Sequence, residues 1–247
     1  VAIGRNVGGN WDVWLIDIAR GVRTRLTSDP ALDSSPAWSP DGSRIVFMSA
    51  RNGKLGLYTK LLTGTGGEDL LLENPNAPTP MDWSSDGRFL LYRSQNPATG
   101  YDLWARAMGG DGKPFPVAQA TFNEREGQFS PDGKWVAYQS DESGRTEIYV
   151  QPFPGPGEKT QVSTTGGAQA RWRADGKELF YIALDGRLMS VPMQLAANGR
   201  TLDEGRPVPL FETHIGVILQ ESVRTQYAVA RDGQRFLMNT SPDDTPP

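Results

Sequence analysis

The sequence predicts an all-β fold, a β-propeller of four-stranded blades, and two observations carry that expectation. An aromatic-x-x-Asp-Gly unit recurs along the chain, each copy followed by a short apolar stretch. Glycine and proline, 28 and 19 of the 247 residues, exceed the roughly 12% of average usage and are spread throughout, as punctuation between many short strands.

The copies are Trp38-Ser39-Pro40-Asp41-Gly42, Trp83-Ser84-Ser85-Asp86-Gly87, Phe129-Ser130-Pro131-Asp132-Gly133 and Trp172-Arg173-Ala174-Asp175-Gly176. A weaker fifth is Val229-Ala230-Arg231-Asp232-Gly233. Their aspartates stand 45, 46, 43 and 57 residues apart, and a period in the forties with a glycine and an aromatic per unit suits a four-stranded blade. Asp-Gly between apolar segments predicts a tight hairpin in which the pair supplies positive φ angles. The strands after each turn are residues 45–48, 89–92, 135–138, 179–182 and 236–238, and third segments follow at 55–58, 102–104, 147–150 and 187–189. Fourth segments, such as 69–72 and 160–163, close the units.

One propeller domain over 1–247 is expected, with blade segments at about 1–28, 29–74, 75–118, 119–165, 166–212 and 224–240. The 57-residue spacing implies an insertion over about 198–223, and 241–247 form a tail. Residues 11–17 and 24–27 match third and fourth strands with no Asp-Gly before them, and the far end supplies only first and second strands. Residues 1–3 and 236–238 both take the second-strand position. Five to six blades result, in the expectation of a six-bladed ring whose N-terminal half-blade precedes Val1.

Composition narrows the chemistry. Lysine plus arginine total 25 against 29 acids, a net charge of −4 with both signs interspersed, so nothing supports electrostatic nucleic-acid binding. No apolar run approaches the roughly 20 residues of a membrane-spanning helix. Cysteine is absent and His214 is the only histidine, which removes disulfides, thiolate catalysis and cysteine- or histidine-based metal sites. No cofactor is expected.

The Trp38 and Phe129 copies resemble the WD40-like (PD40) repeats of TolB-type propellers. Residues 12–21, 142–155, 175–181 and 233–237 resemble the C-terminal propeller region of bacterial serine/threonine kinases. That resemblance implies an extracytoplasmic propeller tethered to a kinase domain upstream. The chain itself has no His-Arg-Asp or Asp-Phe-Gly, and no Gly-x-Ser-x-Gly peptidase motif. Gly109-Gly110-Asp111-Gly112-Lys113 lacks phosphate-loop spacing, and Asp141-x-Ser143-x-Arg145-x-Glu147 lacks that of a calcium loop.

Positions identical between blades serve the blade, whereas positions that differ are free to serve a ligand. Asp41, Gly42, Asp86, Gly87, Asp132, Gly133, Asp175, Gly176, Asp232 and Gly233 are therefore turn residues. Trp38, Trp83, Phe129 and Trp172 are expected to pack between blades. Asp12, Asp102 and Glu147, each two residues before an aromatic, are expected to bond a neighbouring loop. The units diverge just before the first strand, at Asp33 with Ser35, Asp82, Glu124 with Glu126, and Gln169 with Arg171. These are the ligand-binding candidates, at a channel mouth suited to cations or basic peptide segments. Three functions follow: a non-catalytic module binding a protein, peptide or small ligand; an accessory propeller of a kinase or serine peptidase; and a carboxylate-based lyase or glycosidase.

Overall fold

The computed structural model describes residues 1–63, 66–155, 157–195, 202–219 and 225–240. The 241–247 tail and part of the 198–223 insertion lie outside them. The chain forms two compact units, Val1–Pro116 and Val117–Pro247, both built of antiparallel sheets, which gives the all-β propeller fold of four-stranded blades.

Unit 1 opens with a three-stranded sheet, β1 (Ala2–Val7), β2 (Asn10–Asp17) and β3 (Val22–Arg25). A four-stranded blade follows: β4 (Asp33–Trp38), β5 (Arg44–Ser49), β6 (Gly56–Leu61) and β7 (Glu68–Glu73). The next is β8 (Thr79–Trp83), β9 (Phe89–Asn96), β10 (Gly100–Ala107) and β11 (Pro114–Ala118). Side chains on a strand alternate between faces, and β5 shows what that achieves. Ile45 and Phe47 pack with Val13 of the preceding sheet, while Val46 packs with Leu90 and Tyr92 of the following one. Each blade is thus apolar on both faces.

In unit 2 the first blade is β12 (Glu124–Phe129), β13 (Trp135–Ser140), β14 (Glu147–Pro152) and β15 (Thr160–Gln161). The second contains β16 (Ala168–Trp172), β17 (Glu178–Ile182), β18 (Arg187–Leu195), β19 (Leu202–Glu204) and β20 (Val208–Glu212). Here β20 pairs with the first half of β18, and β19 forms a hairpin with its second half. A pair, β21 (Tyr227–Val229) and β22 (Phe236–Met238), ends the unit. Leu179 and Tyr181 face the blade before, and Phe180 and Ile182 face Ile215 and Tyr227.

The repeated turn differs from the expected two-residue hairpin. In the first copy Gly42 N donates to Ser39 O at 2.9 Å and Ser39 N to Arg44 O at 3.0 Å. The same two bonds recur at Gly87/Ser84, Gly133/Ser130, Gly176/Arg173 and Gly233/Ala230. Only the glycine has positive φ, between 69° and 74° in the five copies. The aspartate is a central residue of a type I turn and the glycine follows it. Pro40 and Pro131 explain the choice, since a proline at the second position fixes the φ that a type I turn needs.

The aspartate then closes the turn with its side chain. Ser39 Oγ donates to Asp41 Oδ1 at 2.6 Å while accepting from Arg44 N at 2.9 Å, and Ser43 N donates to the same carboxylate oxygen at 3.0 Å. Asp86 and Asp132 repeat the scheme with Ser84 and Ser130. Arg173 replaces the serine beside Asp175 with a bidentate ion pair. Hydrogen bonds from the Ser39 hydroxyl, then from Ser43, lower the Asp41 pKa to about 2. The Arg88 amide and Ser84 hydroxyl do the same to Asp86, and Arg173 with the Lys177 amide to Asp175, each to about 2.

The four repeated aromatics are not equivalent. Phe129 and Trp172 are buried, Trp83 is half-buried, and Trp38 is 39% exposed. Phe153 covers Phe129 edge-on at 4.8 Å between centroids, and Met193 and Leu202 pack around Trp172. The expectation that all four pack between blades is corrected at Trp38: the repeat fixes its backbone, but its environment supplies no comparable cover among the described residues.

Candidate functional site

The inner strands β4, β12 and β16 share an irregularity. Each slips register against its partner, between Ser34 and Ala37, between Arg125 and Gln128, and between Ala168 and Arg171. The residue three positions before the repeated aromatic sits in the left-handed region in all three: Ser35 at φ 54°, Glu126 at 50° and Gln169 at 60°. None is glycine, so each carries backbone strain of about 1–3 kcal/mol. In β8 the matching residue is Pro80, whose ring forbids positive φ, and the irregularity there falls between Pro80 and Asp82. Bulges of this kind re-aim a side chain out of the pleat.

In unit 2 the re-aimed side chains converge. Gln169 accepts from Gln226 N at 2.8 Å and donates from Nε2 to Ile218 O at 3.2 Å, while its own amide donates to Gln139 Oε1 at 3.0 Å. Glu126 Oε2 accepts from Thr225 Oγ1 at 3.0 Å. Glu126 and Gln169 are thereby joined to adjacent residues of one segment. Glu124 pairs with Ser140 in the register and is buried. Arg171 is half-buried and bonds the Ala170 carbonyl at 3.1 Å. Beside this network Tyr227 is buried, its hydroxyl has no partner among the described residues, and burial pushes its pKa well up.

In unit 1 the candidates are employed differently. Asp33 is fully buried and accepts from Arg51 at 2.8 Å. Arg51 also bonds Ser49 Oγ at 2.9 Å, pairs with Glu68, and lies over the rings of Phe47 and Tyr58 at 5.4 and 5.0 Å. Burial raises the Asp33 pKa against the hydrogen bonds from Ser49, Arg51 and Thr27. Asp33 therefore belongs to an internal ion pair, away from any solvent rim. Asp82 is half-buried in β8.

Sequence reasoning missed Arg51, Gln139, Thr225 and Gln226. Arg51 had a usable signal, as the only basic residue ten positions after a repeated aspartate in the first four copies. The third-strand acids do bond locally: Glu147 accepts from Gly166 N at 2.9 Å, Asp12 pairs with Arg25 at 2.6 Å and Asp102 accepts from Thr99 at 2.9 Å. Among the described residues no three His, Cys, Asp or Glu side chains are grouped to hold a metal ion. None of the described helices is long and apolar enough to cross a membrane.

Four-stranded blades, recurrent turns and bulged inner strands define a β-propeller scaffold. Residues 1–103 match the family model described as PD40, TolB beta propeller domain. A stretch of 103 residues is 29% identical to Tricorn protease homolog 1 of Streptomyces coelicolor, covering 42% of this chain and 10% of that protein. A shorter stretch of 43 residues is 46% identical to a TolB homolog of Chlorobium chlorochromatii, covering 17% of this chain and 10% of that one. The matched stretches thus span about a tenth of these curated relatives. The solved TolB of Acinetobacter baumannii superposes with TM-score 0.62 at 18% identity, over 90% of this chain and 58% of that one. An oligogalacturonate lyase in complex with manganese gives 0.58 at 15%, over 97% and 82%. At such identities the likeness is one of fold.

Proposed function

We propose that the chain is a non-catalytic recognition module of a larger bacterial protein, binding a protein or peptide partner through the bulged inner strands. The observation that carries this reading is the recurrence of one strained backbone geometry in three of the blades, with a different side chain in each, Ser35, Glu126 and Gln169. Strain repeated where side chains vary is what a scaffold for recognition retains. The acidic and amide groups of unit 2 suit the donors of an extended peptide backbone. The resemblance to kinase-associated propellers supports an extracytoplasmic position beside a kinase domain. The identity shared with a Tricorn protease homolog favours a second reading, an accessory propeller of a peptidase whose active site lies outside this chain.

Panning the chain against a random peptide display library tests the first reading. Enriched peptides are expected to bind Glu126→Ala and Gln169→Ala at least tenfold more weakly, measured at a temperature where circular dichroism shows both variants folded. Failure to enrich peptides, or equal binding by both variants, overturns it.

A further inference from the structure

A second site is suggested at the turn end of the inner strands of unit 2. The turns after β12 and β16, together with the β18–β19 hairpin, enclose a cleft of about 480 Å³. That is within the roughly 300–1,000 Å³ range of ligand sites. Its floor is apolar and buried: Trp135, Trp172, Met193 and Leu202. Its rim is polar and includes Asp132, Lys177 and Gln194. The long β18, nine residues, creates the cleft by carrying Met193 and Gln194 past the turns.

Two features separate this cleft from ordinary blade packing. The first concerns the repeated tryptophan. Trp83 satisfies its indole N–H within its own turn, donating to Gly87 O at 3.1 Å. Trp172 holds the same repeat position, and Gly176 lines the cleft beside it, yet its buried indole N–H has no acceptor among the described residues. A buried donor left over is rare and calls for an explanation. The second concerns charge. Asp132 uses Oδ1 in its turn, and among the described residues neither its Oδ2 nor the Lys177 ammonium has an ion-pair or hydrogen-bond partner.

We propose that this cleft binds a short peptide segment by one bulky apolar side chain. The side chain lies on the Trp135, Trp172, Met193 and Leu202 floor. A backbone N–H donates to Asp132, and backbone carbonyls accept from Lys177 and from the Trp172 indole. A peptide offers donor and acceptor at the rim with an apolar body between them, which is the distribution the cleft presents. The site is separate from the bulge residues Glu126 and Gln169, so the two proposals stand or fall independently.

The test is a titration of the full chain, followed by the Trp172 indole N–H resonance and assigned with Trp172→Phe. The probes are acetylated, amidated Gly-Leu-Gly and Gly-Phe-Gly, with Gly-Gly-Gly and maltotriose for comparison. Saturable movement with the leucine and phenylalanine peptides is expected, at least tenfold tighter than with triglycine, the effect of burying one such side chain. Lys177→Ala, at an exposed position, should weaken binding several-fold while leaving the fold intact, and Met193→Arg should abolish it. No response to the peptides, an equal response to triglycine, or saturation by maltotriose alone overturns the proposal.

Discussion

Replacing Arg51 with methionine tests whether Asp33 is structural. The substitution keeps much of the stem packing between Phe47 and Tyr58 but removes the cation. Glu68 retains Lys60, which bonds it at 2.9 Å. Asp33 loses the one basic partner it has at hydrogen-bond distance among the described residues, at a site with no solvent exposure. The environments agree with that asymmetry: burial outweighs the hydrogen bonds at Asp33 and raises its pKa, whereas at Glu68 burial is outweighed by Lys60 and Arg51 and the pKa is lowered. Stranding one buried carboxylate costs about 3–5 kcal/mol. Urea denaturation followed by tryptophan fluorescence should show that loss near neutral pH. The sign of its pH dependence follows from linkage. Without Arg51 the folded-state pKa of Asp33 rises further above its unfolded value, so the folded protein takes up a proton more readily and the penalty shrinks as pH falls. In Arg51→Met/Asp33→Asn most of the loss should return. A penalty under about 1 kcal/mol, or a double variant as unstable as the sum of the single ones, refutes this account of Asp33.

Three further outcomes are expected. Trp172→Ala should cost about 3–5 kcal/mol, the scale for a buried aromatic, and Trp38→Ala less than about 1 kcal/mol, compared by denaturation of the two variants. Stability should decline as pH falls from about 4 toward 2, because Asp41, Asp86 and Asp175 have folded-state pKa values lowered from 3.8 to about 2 and their contribution, full above the unfolded pKa, is lost on protonation. Asp86→Asn should flatten that acid limb in a pH series. Gly167→Ala should destabilise by about 1–3 kcal/mol, since a methyl group there meets Ser163 Oγ at 2.8 Å and Tyr181 at 2.9 Å, and differential scanning calorimetry reads the shift.

The strands and turns were legible because they rest on local rules. Continuous apolar runs after each Asp-Gly mark β5, β9, β13 and β17, and Ser39-Pro40-Asp41-Gly42 carries a type I turn signature that reading the Asp-Gly pair alone obscures. What was hidden depends on residues distant in the chain. Arg51 reaches Asp33 across 18 positions, and Gln169 reaches Gln226 across 57. The left-handed conformation of Glu126 and Gln169 leaves no compositional trace, because neither residue type favours it. Whether a repeated aromatic is buried depends on its cover, which Phe153 supplies to Phe129 and Met193 to Trp172, and Trp38 lacks comparable cover among the described residues. Divergence between blades marks freedom to vary, which an internal counterion such as Asp33 shares with a ligand group.

The Ser-x-Asp-Gly turn has one more consequence, for how such a chain changes over generations. The hydrogen bonds that close it run within six consecutive residues, 39–44 in the first copy and 130–135 in the third. A duplicated segment therefore arrives with its hairpin already closed and asks nothing of its new neighbours except an apolar face. Arg173 shows that even the serine is replaceable when an arginine supplies the bonds to the aspartate. Blades can be copied, gained or lost as whole words, and the side chains between the turns are then rewritten separately in each copy.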